Sequence, residues 1–170
     1  MDELFGYLER LEVMIFFAGY PIIFSLVYFL EGEFRKKPKP LITVLKNLLP
    51  CAYALSGTLC FGFYLKKIYT GYTMGISISA LNHPYLIAWG LFSMVFWFRF
   101  ARVKPLLSLL HSLVFFFYIP MDLYLYLTHS AEKDLVKNDM NILTSSVLLN
   151  TSTLLAVLIF HFAWQYFRKK

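Results

Sequence analysis

The fold class follows from residues 105–129, which read PLLSLLHSLVFFFYIPMDLYLYLTH. This run is long and apolar enough to cross a bilayer as a helix, which needs about 20 predominantly apolar residues. Four polar side chains recur in it at steps of seven, four and seven residues: His111, Tyr118, Asp122 and His129. At about 100° per residue these positions share one helical face. Lipid does not favour a polar stripe, so we expect another part of the protein to cover it.

The whole chain is apolar in the same way. Of its 170 residues 59% are hydrophobic and 15% are charged, and the mean hydropathy is +0.61. A soluble domain carries more charge, about 25%. Apolar runs predict five transmembrane helices, at about 13–30, 42–65, 80–98, 105–127 and 141–167. We therefore expect an all-α polytopic membrane helix bundle that forms a single unit over residues 1–170.

The basic residues predict the orientation of this bundle. Eleven of the 16 Lys and Arg residues fall on the side of the 31–40 loop, the 99–104 turn and the chain's end, and five fall on the other side. Cytoplasmic loops carry such an excess, so we expect the N-terminus outside and the C-terminus in the cytoplasm. The membrane is then a bacterial inner membrane or an organelle membrane. The net charge of +6 does not indicate nucleic-acid binding, because the basic residues lie at helix ends.

The N-terminal residues, MDELFGYLERLE, are acidic, whereas a secretory signal begins with a basic region. We therefore expect the first hydrophobic segment to stay in the chain. Residues 128–139, THSAEKDLVKND, read as a polar loop between the fourth and fifth spans.

The fifth predicted span carries a second polar stripe. Its members are separated by four, three and eight residues: Ser146, Asn150, Thr153 and His161. Counted from the cytoplasmic ends of the two spans, Asn150 lies at the depth of Asp122, and His161 lies at the depth of His111. A short loop joins the two spans, which favours antiparallel neighbours. The sequence thus predicts a buried polar seam between the fourth and fifth helices, formed by Tyr118, Asp122, Ser146, Asn150 and Thr153.

One interpretation of the seam is structural. Hydrogen bonds between membrane helices contribute about 0.6 kcal/mol each and serve helix packing. The second predicted span also repeats the small residues Ala54, Thr58 and Gly62 every four positions, which allows another helix to approach closely. The chain would then be a small integral subunit of a larger membrane complex, with lipid and other integral membrane subunits as its partners.

A second interpretation is haem binding. Two histidines at one depth on facing helices, here His111 and His161, suit the axial ligation of a b-type haem. His83 and His129, both near the outer surface, form a weaker pair. Five spans with paired histidines are similar to the cytochrome b anchor subunits of respiratory nitrate and fumarate reductases. This resemblance implies an electron-transfer membrane subunit that binds haem b.

A third interpretation is ion or proton movement. An ionisable residue within a membrane span is a functional hypothesis by default, and Asp122 shares its face with Tyr118 and His111. The chain would then be a subunit of a proton- or ion-conducting complex. The sequence has no HExxH or GxSxG motif and no pair of aspartates within the predicted spans, so we do not expect catalysis by this chain alone.

Overall fold

The structure is a computed structural model that describes residues 2–33, 40–73, 84–128 and 133–168. Its elements are helices, and no strand occurs in those ranges. The α-helices are α1 (Asp2–Phe17), α2 (Tyr20–Glu33), α3 (Pro40–Thr73), α4 (Pro84–Phe92), α5 (Arg99–Arg102), α6 (Pro105–Phe116), α7 (Tyr118–Leu127) and α8 (Lys133–Arg168). A 3₁₀ segment, Ser93–Trp97, follows α4 directly. The all-α prediction is confirmed for this part of the chain.

Four helical stretches are long and apolar enough to cross a membrane, where the sequence predicted five. They are Tyr7–Glu33, Leu41–Thr70, Pro105–Leu127 and Val136–Arg168, numbered below as the first to fourth long spans. The third predicted span, about 80–98, corresponds to the shorter apolar helix Pro84–Trp97. This helix is shorter than the other four, and it ends in a 3₁₀ segment. Residues 74–83, which precede it, lie outside the described ranges. The count of five spans therefore remains a prediction.

Three of the boundaries move outward from the predicted ones by at least five residues. The first long span begins at Tyr7 rather than at 13, and the second ends at Thr70 rather than at 65. The fourth long span, which corresponds to the predicted fifth, begins at Val136 rather than at 141. Glu, Lys and Arg are good helix formers, so charged residues at these ends lengthen a helix instead of stopping it. Asp134 also lies in the first turn of α8, where it is favourable to the helix dipole. Most of the loop predicted at 128–139 is therefore helical.

Two of the long spans are broken near a proline. The first is interrupted at Ala18 and Gly19, with Pro21 in the first turn of α2. The third is interrupted at Phe117, with Pro120 in the first turn of α7. Proline has no N–H to donate and its ring crowds the carbonyl four residues earlier, so it fits best near the start of a helix, although Pro50 lies inside α3.

The first and second long spans run antiparallel. At one end of the bundle the Lys67 ammonium lies 2.6 Å from the Glu12 carboxylate, and at the other the Lys46 ammonium lies 2.9 Å from the Glu31 carboxylate. We name the first of these end A; it holds the start of α1 and the end of α3. End B is the opposite end.

The third long span is also antiparallel to the first. The Tyr20 and Ser108 hydroxyls lie 2.7 Å apart, and nearer end A an ion pair joins Arg10 to Asp122. Since α3 and the pair α6–α7 both run antiparallel to the first long span, they run in the same direction. The end of α3 at end A and the start of α6 therefore lie at opposite ends of the bundle.

The helices meet around buried aromatic rings. The Phe17 ring stacks on that of Phe115 at 4.8 Å between centroids, and the Tyr53 ring lies 4.4 Å from that of Tyr20. Next to this core, the backbone of Gly19 approaches the backbone of α8 closely. A Cβ added at Gly19 would lie 2.7 Å from the Val147 Cα. Helix α8 thus crosses directly over the break between α1 and α2.

Candidate functional site

The stripe on α8 is buried, and other helices satisfy its polar atoms. The Asn150 amide donates to the carbonyl of Phe16 at 3.0 Å and accepts from the Ser56 hydroxyl at 3.2 Å. The Ser146 hydroxyl accepts from the backbone N–H of Gly19 at 2.7 Å. The Thr153 hydroxyl lies 3.3 Å from that of Ser56. The part of the stripe formed by Ser146, Asn150 and Thr153 is therefore covered by the α1–α2 break and by α3.

This arrangement corrects the expected pairing of the two stripes. Equal depth suggested that Asn150 faces Asp122, but the partners of Asn150 on other helices are Phe16 of α1 and Ser56 of α3, and Thr153 also contacts Ser56. The physical reason is the small side chains on those helices. Gly19 and Ser56 let α8 come within hydrogen-bonding range of both, which a helix faced with large side chains would prevent.

His111, on the other stripe, belongs to a cluster of aromatic rings. Its Nδ1 lies 2.6 Å from the Tyr53 hydroxyl, and its ring stacks on that of Trp89 at 4.7 Å. The Trp89 indole N–H donates to the His111 backbone carbonyl at 3.3 Å. The Nε2 atom is buried and has no hydrogen-bond partner within the described ranges. His111 thus links α6 to α3 and α4.

The two histidines proposed as haem ligands are not brought together. His161 lies on the half of α8 near end B, and a hydrogen bond of 2.9 Å joins its Nε2 to the Gln165 amide. Among the described residues no hydrogen bond or ring contact connects it to His111. A bis-histidine haem needs two imidazoles that face one iron from opposite sides. His83 and His129 lie outside the described residues.

A second buried cluster surrounds Asp122 near end A. The Arg10 guanidinium donates to Asp122 Oδ2, and it also lies over the ring of Tyr7 at 5.0 Å and over that of Tyr118 at 5.2 Å. Both charged side chains are mostly buried. In the sequence, Arg10 is one of the five basic residues on the side of the bundle that carries fewer of them. Nothing in its spacing indicated Asp122 as its partner, because 112 residues separate the two.

Asp139 completes this cluster; it lies just outside the predicted fifth span, about 141–167, but inside the fourth long span. It lies in α8 with 1% of its surface exposed, beside Asp122 and Tyr7. Within the part of the chain that is described, neither of its carboxylate oxygens meets a hydrogen-bond partner. A signal existed in the sequence: Asp139 precedes Ser146 by seven residues, which extends the α8 stripe by two turns.

Comparison with known proteins finds no matching family model, no matching curated protein and no matching solved structure. The geometry of the polar clusters is thus the basis for the function argued below. In the described ranges no three side chains of the His, Cys, Asp and Glu types form a group that could hold a metal ion. The Arg10–Asp122–Asp139 group, named the acid cluster below, is instead an arrangement of one buried cation and two buried carboxyls.

Proposed function

We propose that this chain is an integral membrane protein with five spans that works as a subunit of a larger assembly of membrane proteins. Its four long apolar helices suggest a membrane location by their composition. The observation that carries the subunit role is a hydrogen-bonded polar pair, His161 and Gln165, on the half of α8 that the other described helices leave uncovered.

Five crossings agree with the direction of the helices. Because α3 and α6 run in the same direction, the chain between them has to return from end A to end B. The segment Pro84–Trp97 supports such a return: Ser93 packs against Gly57, and Phe96 packs against Tyr53 nearer end B. It therefore runs antiparallel to α3. With the positive charges of end B in the cytoplasm, the N-terminus is outside.

The uncovered half of α8 presents two kinds of surface. From 155 onward it exposes large apolar side chains, namely Leu155, Ile159, Phe160, Phe162, Trp164, Tyr166 and Phe167. Lipid can cover these. His161, however, precedes Arg168 by seven residues, which at 1.5 Å per residue places it about 10 Å from the helix end. A histidine at that depth is costly against lipid and normally faces protein. A transmembrane helix of a partner protein can cover the apolar side chains and also shield His161 from lipid.

The polar seam has a structural role in this proposal. Asn150, Ser146 and Thr153 have partners on α1 and α3, so their hydrogen-bonding capacity is used inside the chain. A subunit is favoured over a haem protein because, among the described residues, no hydrogen bond or ring contact connects His111 to His161, and the His161 Nε2 atom is bonded to the Gln165 amide.

Co-purification of membrane proteins from gently solubilised membranes tests the subunit role. We expect the wild-type chain to recover a partner, and we expect the double substitution His161→Leu and Gln165→Leu to weaken recovery about tenfold, equivalent to about 1.4 kcal/mol. Ile159→Leu, an apolar exchange on the same exposed half of α8, is the matched control and should recover the partner fully. A stable wild-type monomer that recovers no membrane protein would contradict the proposal.

A further inference from the structure

We propose that Asp122 and Asp139 form a carboxyl pair that binds one exchangeable proton near end A, with Arg10 as its fixed counter-charge. This inference is independent of the subunit role, because His161 and Gln165 lie on the half of α8 near end B.

The acid cluster is built by three helices. Arg10 comes from α1, Asp122 from α7 and Asp139 from α8, and Arg10 is held between two tyrosine rings while it donates to Asp122. The polar and titratable groups that face the pair are Tyr7 and Arg10 from α1, Tyr118 from α7 and Asn138 from α8, with Tyr85 of α4 beside Tyr118. Apart from Arg10, none of these groups supplies a positive charge.

Among the side chains that the structure describes, the charges of the cluster do not balance without a bound ion. With both carboxyls ionised, Arg10 neutralises one of two negative charges, and the other is left on Asp139, which is 1% exposed and lacks hydrogen-bond partners in the described ranges. An unpaired carboxylate at such a site is strongly unfavourable. One proton removes the excess charge. It also converts one carboxyl into an O–H donor for the other, so that the pair shares the proton.

A proton fits this site better than a metal cation. Oxygen-binding cations such as Ca²⁺ take six to eight ligands, whereas the described residues offer no group of three acidic, histidine or cysteine side chains. The Arg10 guanidinium already occupies Asp122 Oδ2, and its positive charge would repel a second cation at the same carboxyl.

The position of the cluster allows the proton to exchange with water. Arg10 and Asp139 each lie three residues inside the ends of their long spans, and Asp122 lies five residues inside its own. At 1.5 Å per residue these depths are about 5–8 Å. Tyr7, which is partly exposed, lies beside Asp139 on the side of end A. A short path thus connects the pair to the aqueous phase.

Infrared difference spectra of the full chain in lipid nanodiscs, recorded between acidic and alkaline buffer, test this inference. A protonated carboxyl has a carbonyl stretching band that shifts in D₂O. We expect such a band in the wild type. Asp139→Asn and Asp122→Asn should each abolish it, because either variant leaves one carboxylate balanced by Arg10. Asp134→Asn, which removes an exposed carboxyl at the start of the same helix, should retain the band.

The outcomes separate the alternatives. A wild type without the band, or an Asp139→Asn variant that keeps it, overturns the inference. A band that disappears when choline is replaced by Na⁺ overturns the assignment of the ion as a proton. Circular dichroism identifies any variant that loses its helices. Should Asp139→Asn do so, Asp122→Asn decides the question by the same measurement.

Discussion

At the scale of single residues, Asn150 is the point where three helices are joined. Its amide donates to the Phe16 carbonyl and accepts from Ser56, so it connects α8 to α1 and to α3 at once. Asn150→Leu would remove the side-chain donor to the buried Phe16 carbonyl, and the Ser56 hydroxyl would keep only the Ala52 carbonyl and the Thr153 hydroxyl as partners. We expect the free energy of unfolding to fall by about 1–2 kcal/mol, since hydrogen bonds in membrane bundles reach about 1.7 kcal/mol and an unpaired buried group adds its desolvation penalty.

The measurement is reversible unfolding in mixed micelles, with Asn141→Leu as the control. Asn141 is an exposed asparagine on the same helix, so its replacement should change stability by less than about 0.5 kcal/mol. Equal stability of the two variants would show that the seam does not hold the helices together.

The same residues show what spacing predicts and what it leaves open. Steps of three, four and seven residues identify a shared helical face whatever covers it, so Ser146, Asn150 and Thr153 were found together. Depth along a helix, however, is the same for every neighbour of that helix. Which helix α8 packs against depends on where two backbones can approach closely. Here that place is Gly19, which is distant from α8 in the sequence.

At the scale of helices, Gly19 controls the packing of α8 on the break between α1 and α2. A Cβ at this position would lie 2.7 Å from the Val147 Cα, and a backbone atom cannot give way as a flexible side chain can. Gly19→Ala should therefore separate the helices and break the 2.7 Å bond from Gly19 N–H to Ser146. We expect a loss of stability of about 1–3 kcal/mol, the usual cost of overpacking.

Gly62→Ala is the matched control for this prediction. An added Cβ at Gly62, inside α3, would meet no atom within 4 Å. Alanine favours a helix by about 0.5–1 kcal/mol over glycine, so this variant should keep or raise the midpoint of thermal unfolding. A Gly19→Ala protein as stable as Gly62→Ala would show that α8 does not pack there as closely as the structure has it.

Helix ends were the least predictable feature at this scale. Hydropathy ends a span at the first charged residue, so Asp139 fell into a predicted loop and the acid cluster was missed. In the bundle, a span can continue past a charged residue that other helices bury, because a charged side chain is tolerated there when an opposite charge faces it. Arg10 supplies that charge to Asp122, and no local pattern relates the two.

At the scale of the whole molecule, the direction of the helices predicts on which side of the membrane each connection lies. Lys66 lies near the end of α3 at end A, whereas Lys104 directly precedes α6 at end B. Both are exposed, and the native Cys51 and Cys60 are buried. Single cysteines at 66 and at 104 therefore report the sidedness of the two ends without competition from the native thiols.

With five spans and the N-terminus outside, a membrane-impermeant maleimide added to intact cells should label Lys66→Cys and spare Lys104→Cys until the membrane is permeabilised. Thr128→Cys, at the end of α7 near end A, should behave like Lys66→Cys. Labelling of 66 and 104 from the same side would mean that Pro84–Trp97 does not cross, which leaves four spans. Inverted labelling of all three positions would keep five spans and reverse the orientation. The experiment thus tests two proposals separately. The number of crossings is inferred from the parallel direction of α3 and α6, and the orientation is inferred from eleven basic residues against five.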